Sequence, residues 1–311
     1  MLPQDVTHKP GQSAIFLVYA LNRPDETAPI KAILAELPAL TRSLRGRFPG
    51  QEVSCVAGIG ATAWDCLFPG WKKPKELSPF VEIRGEKHVA PSTPGDLFFH
   101  IRASKMGLAY EVSGLIAETL GDSVYAIDEV QGFRYLDGRA IIGFVDGTEN
   151  PELLEDALKF AAIGDEEPDF RGGSYAFVQK YLHDMSAWRA LSTEEQEKAV
   201  GRRKYDDREL PEGVKPENAH NAVTNITGPD GEELKIVRAN MAFANASKGE
   251  HGTYFIGYAS TFATTRKMLE NMFIGDPPGN TDRLLDFSVA HTGTLFFVPS
   301  QELLAALAEG D

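Results

Sequence analysis

Residues 97–130 read LFFHIRASKMGLAYEVSGLIAETLGDSVYAIDEV, and the order of elements in this stretch decides the fold. Leu97 to Arg102 is a nearly unbroken apolar run of strand length. From Met106 to Leu120 the spacing becomes helical, with Leu108, Val112, Leu115 and Ile116 on one face and Gly121 as the stop. Val124 to Val130 returns to a strand. Upstream the same order occurs once before. AIFLVYA (14–20) is a strand, Pro29 to Phe48 has a helical apolar face, and Val53 to Ile59 is a second strand. Pro38 should kink that first helix or split it in two, because it removes a backbone donor and clashes with the preceding turn. Ala63 to Leu67 reads as a short helix, and Pro69 to Pro79 as loop. Two β-α-β units in succession give a ferredoxin-like pattern, an antiparallel sheet with helices packed on one face.

The second half repeats the layout with little identity. SYAFVQKY (174–181) is a strand, followed by a helix from about Ser186 to Val200. Leu234 to Arg238 and Thr253 to Ser260 are strands, Phe262 to Phe273 a helix, Thr294 to Val298 a strand and Gln301 to Ala308 a last helix. The expectation is an α+β chain of two ferredoxin-like domains, residues 1–135 and 136–311, in a dimeric α+β barrel-like arrangement. Leu153 to Gly173 and Gly201 to Asn218 are long polar connections, natural walls for a site between sheet and helices.

Composition narrows the class. The 311 residues suit two domains, and 42% hydrophobic content with 18 Phe can build their cores. A net charge of −14 and a pI near 5.0, with no basic tract, argue against nucleic acid or an anionic membrane as partner. No apolar run reaches the roughly 18 residues of a span, and MLPQDVTHKPGQ lacks the regions of a signal peptide. Cys55 and Cys66 fit neither a CxxC pair nor a thiolate zinc site, so free thiols in a reducing cytoplasm are expected.

Four stretches hold the candidate chemistry. RAIIGFVDGTENP (139–151) places Asp146 between Gly143 and Gly147, whose freedom lets backbone approach a ligand, with Thr148, Glu149, Asn150 and Pro151 as turn residues. A Gly-rich turn with a solvated Asp is the plainer reading of it. KPENAHNAVTN (215–225) presents His220 just after a turn. KIVRAN (235–240) carries Arg238 and Asn240 two residues apart, on one face of a strand. The last, TDRLLDFSVAHTGTLFFVPS (281–300), contains Asp282 and His291.

GFVDG with TENP, GGSYAFVQKY, GRRK, PENAH, KIVRAN and DRLLDFSVAHTG, in this order from Phe133 to Pro299, resemble a bacterial dye-decolorizing peroxidase of the subgroup called class B or P. The first half is similar in layout more than in motif. The resemblance implies a haem b held by the second domain, with His220 as proximal iron ligand and Asp282 as the acceptor that fixes its tautomer. It implies Asp146 and Arg238 as the distal pair that moves the peroxide proton and stabilises the departing oxygen, and Asn240 as a distal polar residue. Arg202 matches a partner of a haem propionate, with Arg203 as its rival, and Gly147, Thr148 and Glu149 border the same group. An Asp base of ordinary pKa, ~4, leads to acid pH optima unless burial raises it. The alternatives are a core role for His220, a helix cap or surface acid for Asp282, and propionate binding alone for Arg238.

The implied activity is reduction of hydrogen peroxide through a ferryl intermediate, followed by one-electron oxidation of dyes, phenolics or similar aromatic donors. A haem-handling protein with incidental peroxidase activity is the rival. A non-haem metal hydrolase built on Asp146, His220 and Asp282 is a third reading, weakened by the lack of a second histidine at ligand spacing. His291 departs from the family pattern, at the pocket rim or as a competing axial ligand. His8, His88, His100, His183 and His251 read as structural or surface, and Trp64, Trp71 and Trp188 as core. Trp188 or Tyr205, if near the surface, could relay electrons from bulky donors. Family analogy leads to a homo-oligomer, and a sequence ending at Asp311 soon after its last helix leads us to expect no long tail for docking into a protein shell.

Overall fold

The computed structural model describes residues 1–9 and 11–310. Eight strands form its centre: β1 Ser13–Leu21, β2 Val53–Gly60, β3 Leu97–Ala103, β4 Val124–Phe133, β5 Ser174–His183, β6 Met241–Asn245, β7 Glu250–Ala259 and β8 Thr294–Val298. The first four lie in the order β4-β1-β3-β2, the last four in the order β8-β5-β7-β6. Both are the ferredoxin-like 4-1-3-2 order, antiparallel throughout. Two short seams join the sheets, Ile59 and Gly60 of β2 with Phe297 and Phe296 of β8, and Phe133 of β4 with Ala242 of β6. The eight strands therefore close into a barrel with helices on its outside.

Closure explains why β1, β2 and β3 read as continuous apolar runs: both of their faces are buried. Even-numbered residues of β1 (Ala14, Phe16, Val18) point into the barrel, where they meet Val56, Phe98, Val178, Tyr254, Ile256 and Phe296. Odd-numbered ones (Ile15, Leu17, Tyr19) pack under the helices Ala28–Arg47 and Met106–Leu120. At about eight strands a barrel interior is just wide enough to be filled by side chains.

The helices Met106–Leu120 and Phe262–Phe273 span the residues expected. Elsewhere the chain differs from its reading. Pro38 sits inside one helix, Ala28–Arg47, neither ending nor dividing it, because Ile30, Ile33, Leu34, Leu37 and Leu44 are all buried along its length. The helix expected from Ser186 to Val200 is two, Met185–Ala190 and Thr193–Val200, divided at Ser192, which forms a capping box with Glu195. Leu234 to Arg238 is not one strand: Glu233–Leu234 pairs with Ile226–Thr227, while Val237–Arg238 pairs with β7. The sheet's second strand is instead β6, a short Ala-rich segment absent from the sequence reading. The polar connection 153–173 contains a helix, Leu154–Ala161.

Candidate active site

Outside the second sheet lies a cavity of about 1020 Å³, its open mouth included, between β5, β7, the helix Phe262–Phe273 and the loops that carry the four motifs. Its wall is mostly apolar, with Ile142, Phe144, Ile236, Phe255, Met268 and Leu285 among the lining residues. His220, Asp282, Asp146, Arg238 and Asn240 all reach it.

His220 opens a single helical turn, His220–Val223, after a Pro-Glu-Asn turn closed by Ala219 N–H on Pro216 O at 3.1 Å. Its Nδ1 lies 2.6 Å from Oδ2 of Asp282. Asp282 is fixed in turn: its N–H donates to Met272 O at 2.9 Å, and its Oδ1 accepts from Leu284 N–H at 2.8 Å. The carboxylate thus caps the short helix Arg283–Asp286 with one oxygen and holds the imidazole with the other. An ionised carboxylate only accepts, so Nδ1 carries the proton and Nε2 is left with a bare lone pair.

Arg238 and Asp146 meet by a different device. The side chain of Asn150 clamps the Arg238 backbone, accepting from its N–H at 2.8 Å and donating to its carbonyl at 2.7 Å. The sequence showed Asn150 only as a turn residue. Asn240 Nδ2 donates to Asp146 Oδ1 at 3.1 Å and its own Oδ1 accepts from Ile256 N–H at 3.2 Å. Burial raises the Asp146 carboxyl above its ordinary value, against the opposing pull of Arg238, Asn240 and the Gly147 N–H. Burial likewise lowers the pKa of Arg238, and its Nε has no hydrogen-bond partner among the described residues.

Gly147 has a φ of +80°, which suits glycine at the turn after Asp146. Thr148 and Glu149 bond away from the apolar wall. Thr148 Oγ1 donates to Asp207 Oδ2 at 2.9 Å, and Glu149 takes the Arg202 guanidinium, which also donates to Asp207 O at 2.8 Å. Arg202 and Glu149 line a smaller polar pocket that shares Thr224, Ile236, Arg238 and Met268 with the cavity. Arg203 is exposed beside them. His291 lines a separate cavity at the barrel mouth with Asp128 and Lys180. His183, taken from the sequence as structural or surface, does line the main cavity, but its Nδ1 is 2.7 Å from Ser288 Oγ and its Nε2 2.9 Å from Thr253 Oγ1. Burial lowers its pKa to about 4. Both its nitrogens are committed. Trp188 is buried, its Nε1–H donating to Ile142 O at 2.9 Å, whereas Tyr205 is 79% exposed.

Among the described residues no three His, Cys, Asp or Glu side chains come together as a metal site. A metal taken up by His220 must bring its other ligands with it, as an iron macrocycle does. The hydrolase reading lacks its ligand set. An apolar slot, one free imidazole nitrogen and an unpartnered guanidinium fit a flat, apolar group with anionic substituents and a reactive iron.

Two family models match, the N-terminal Dyp-type peroxidase model over residues 3–134 and the C-terminal one over residues 137–303. The chain belongs to the Dyp-type peroxidase family. A dye-decolorizing peroxidase from Bacteroides thetaiotaomicron is 62% identical and superposes with a TM-score of 0.95 over 99% of both chains. A Rhodococcus jostii RHA1 Dyp-type variant solved in complex with haem is 49% identical, with a TM-score of 0.95 over 98% of each. The dye-decolorizing peroxidase of Mycobacterium tuberculosis is 50% identical over 97% of this chain and 89% of its own length. The Dyp-type match over both halves agrees with the two ferredoxin-like sheets.

Proposed function

We propose that the chain is a haem-dependent peroxidase that reduces hydrogen peroxide and oxidises dyes, phenols and similar aromatic donors one electron at a time. The 2.6 Å Asp282–His220 pair, in a mostly apolar cavity that also holds Asp146, Arg238 and Asn240, carries this reading. Haem, when bound, supplies the redox-active iron at which peroxide is reduced. His220 Nε2 is the atom that would hold it. Asp282, an anion at Nδ1, makes that nitrogen a stronger electron donor. Arg202, released from Glu149, would meet a propionate, with Gly147, Thr148 and Glu149 bordering it.

Asp146 accepts the peroxide proton at its carboxylate and returns it to the departing oxygen; Asn240 keeps the group in one orientation. Arg238, its backbone clamped and its Nε unspent, offers fixed positive charge to the negative charge that develops there. A carboxyl with an upward-shifted pKa holds the transferred proton better than a solvated Asp. Peroxide chemistry of this kind needs such a trio, whereas haem handling does not, which favours turnover over haem handling.

The two family models abut between residues 134 and 137, supporting domains 1–135 and 136–311. No described helix is long and apolar enough to cross a membrane, and Cys55 and Cys66 are free thiols, which supports a cytoplasmic setting. Exposed Leu153 and Leu154 side by side are consistent with a homo-oligomer.

The test is an absorption spectrum of the purified protein before and after one equivalent of peroxide. A Soret band that shifts within milliseconds is expected, and His220→Ala should lose or loosen the haem that gives it. No Soret band after haem reconstitution would overturn the reading.

A further inference from the structure

Strand β7 serves two compartments. Thr253 and Phe255 line the cavity, while Tyr254 and Tyr258, in the opposite phase, point into the barrel and are 1% and 0% exposed. The Tyr258 hydroxyl lies 2.8 Å from Nδ1 of His100, a residue of β3 in the other sheet that is itself fully buried. Phe16 stacks on His100 with centroids 4.7 Å apart and on Tyr254 at 4.1 Å, so one aromatic column crosses the barrel. His100 Nε2 has no partner among the described residues. Burial and the nearby Arg102 keep the imidazole neutral. With Tyr258 O–H as donor, Nδ1 is the acceptor and Nε2 keeps the ring proton.

A buried histidine partner separates Tyr258 from the other buried tyrosines. Gly257, its neighbour in β7, lies directly opposite Arg238 of the cavity wall, which puts the Tyr258 Cα ~3.8 Å from the partner of a cavity residue. Tyr254 has no hydrogen-bonded base among the described residues. Tyr181 donates to the amide oxygen of Gln179, which is no base. Tyr175 donates to Glu167, but its ring packs against Phe297 in the layer outside the barrel, away from the column of Phe16, His100 and Tyr254.

We propose that Tyr258 is a proton-coupled redox residue that takes over an oxidising equivalent from the peroxide-charged cofactor when no donor occupies the cavity. Tyr258 gives one electron to the cofactor, its O–H bond breaks, and the proton moves along the hydrogen bond to form N–H at His100 Nδ1. The products are a neutral phenoxyl radical and an imidazolium, and the cofactor is reduced by one electron. When a donor arrives, one electron from it and the same proton restore tyrosine and imidazole. The adjacent Arg102 disfavours the imidazolium, which makes the site a high-potential one that only the peroxide-charged enzyme can oxidise.

This rests on the peroxidase reading, and the experiment keeps the two apart. The holoenzyme, grown on ring-deuterated or ordinary tyrosine, is mixed with one equivalent of hydrogen peroxide without donor, freeze-quenched and examined by electron paramagnetic resonance. The expected result is a tyrosyl signal that narrows with ring deuteration and shows coupling to one solvent-exchangeable proton, the one shared with His100. Tyr258→Phe should lose that signal while its Soret band still responds to peroxide; Tyr254→Phe should keep it. A signal that survives Tyr258→Phe, or a wild-type radical without the exchangeable proton, overturns the proposal even if the Tyr258 variant is too unstable to study. A Soret band indifferent to peroxide in the wild type overturns the peroxidase reading instead.

Discussion

Replacing Asp282 by Asn isolates the part of the site that geometry describes best. The amide keeps the shape and can still accept from Leu284 N–H through Oδ1, so the cap on Arg283–Asp286 survives. What disappears is the negative charge 2.6 Å from His220 Nδ1, on a side chain with 0% exposure where water cannot replace it. A charge-assisted hydrogen bond contributes roughly 1.5–3 kcal/mol against about 1 for a neutral one, a difference of about 0.5–2 kcal/mol. That difference falls on the oxidised iron, which benefits most from a strongly donating imidazole. For a one-electron couple it corresponds to a rise of about 20–90 mV in the ferric/ferrous midpoint potential. The rate of reaction with peroxide should fall about 2- to 30-fold in step. Spectroelectrochemistry gives the first quantity and rapid mixing the second. A potential within about 10 mV of wild type, with an unchanged peroxide rate and intact haem, would show that the carboxylate acts only as a helix cap.

Asp146→Asn should retain haem and slow the peroxide reaction by about 10²–10⁴. In the wild type the rate should fall about tenfold per pH unit below the raised pKa of Asp146, because the protonated acid cannot accept peroxide's proton. That acid limb lies higher than a solvated Asp would put it, and should be absent in Asp146→Asn; rapid mixing across pH checks both. Asn150→Ala removes both hydrogen bonds on the Arg238 backbone, so the peroxide rate should drop by about tenfold and stability by about 1–3 kcal/mol, measured by denaturant unfolding. Tyr205→Phe should slow turnover of bulky dyes while sparing small donors; equal turnover of both would exclude Tyr205 as a relay. Trp188→Phe, which leaves Ile142 O unpaired, should lower Tm without changing the dye preference.

The residues with chemistry of their own were legible through the ordered motifs that carry the family resemblance; type and spacing alone left a solvated Asp146 and a core His220 open. Arg238 and Asn240, two apart, do share the cavity with Asp146, and His220 does find Asp282. What the sequence hid was support. Asn150 looks like any turn residue until its amide is seen to hold a backbone 88 positions away. His183 carries no local signal, since its fate depends on Ser288 and Thr253 brought in by pairing. β6 was missed because MAFAN is too short and Ala-rich to announce a strand; pairing with β7 makes it one. Pro38 misled for the opposite reason, as burial of one helical face outweighs a single absent hydrogen bond. Trp188, classed with the core by default, is indeed buried and so is no surface relay.

Barrel closure also constrains how this chain can evolve. Phe16 from the first half stacks on His100 at 4.7 Å and on Tyr254 from the second half at 4.1 Å, so the two halves share one set of interior contacts rather than owning one each. A larger ring at position 254 has room only if position 16 shrinks, although the two lie more than 230 residues apart in the chain. Two units of the same layout are thereby denied independent histories. Exchange of either half between relatives should succeed only when the interior residues of its partner travel with it.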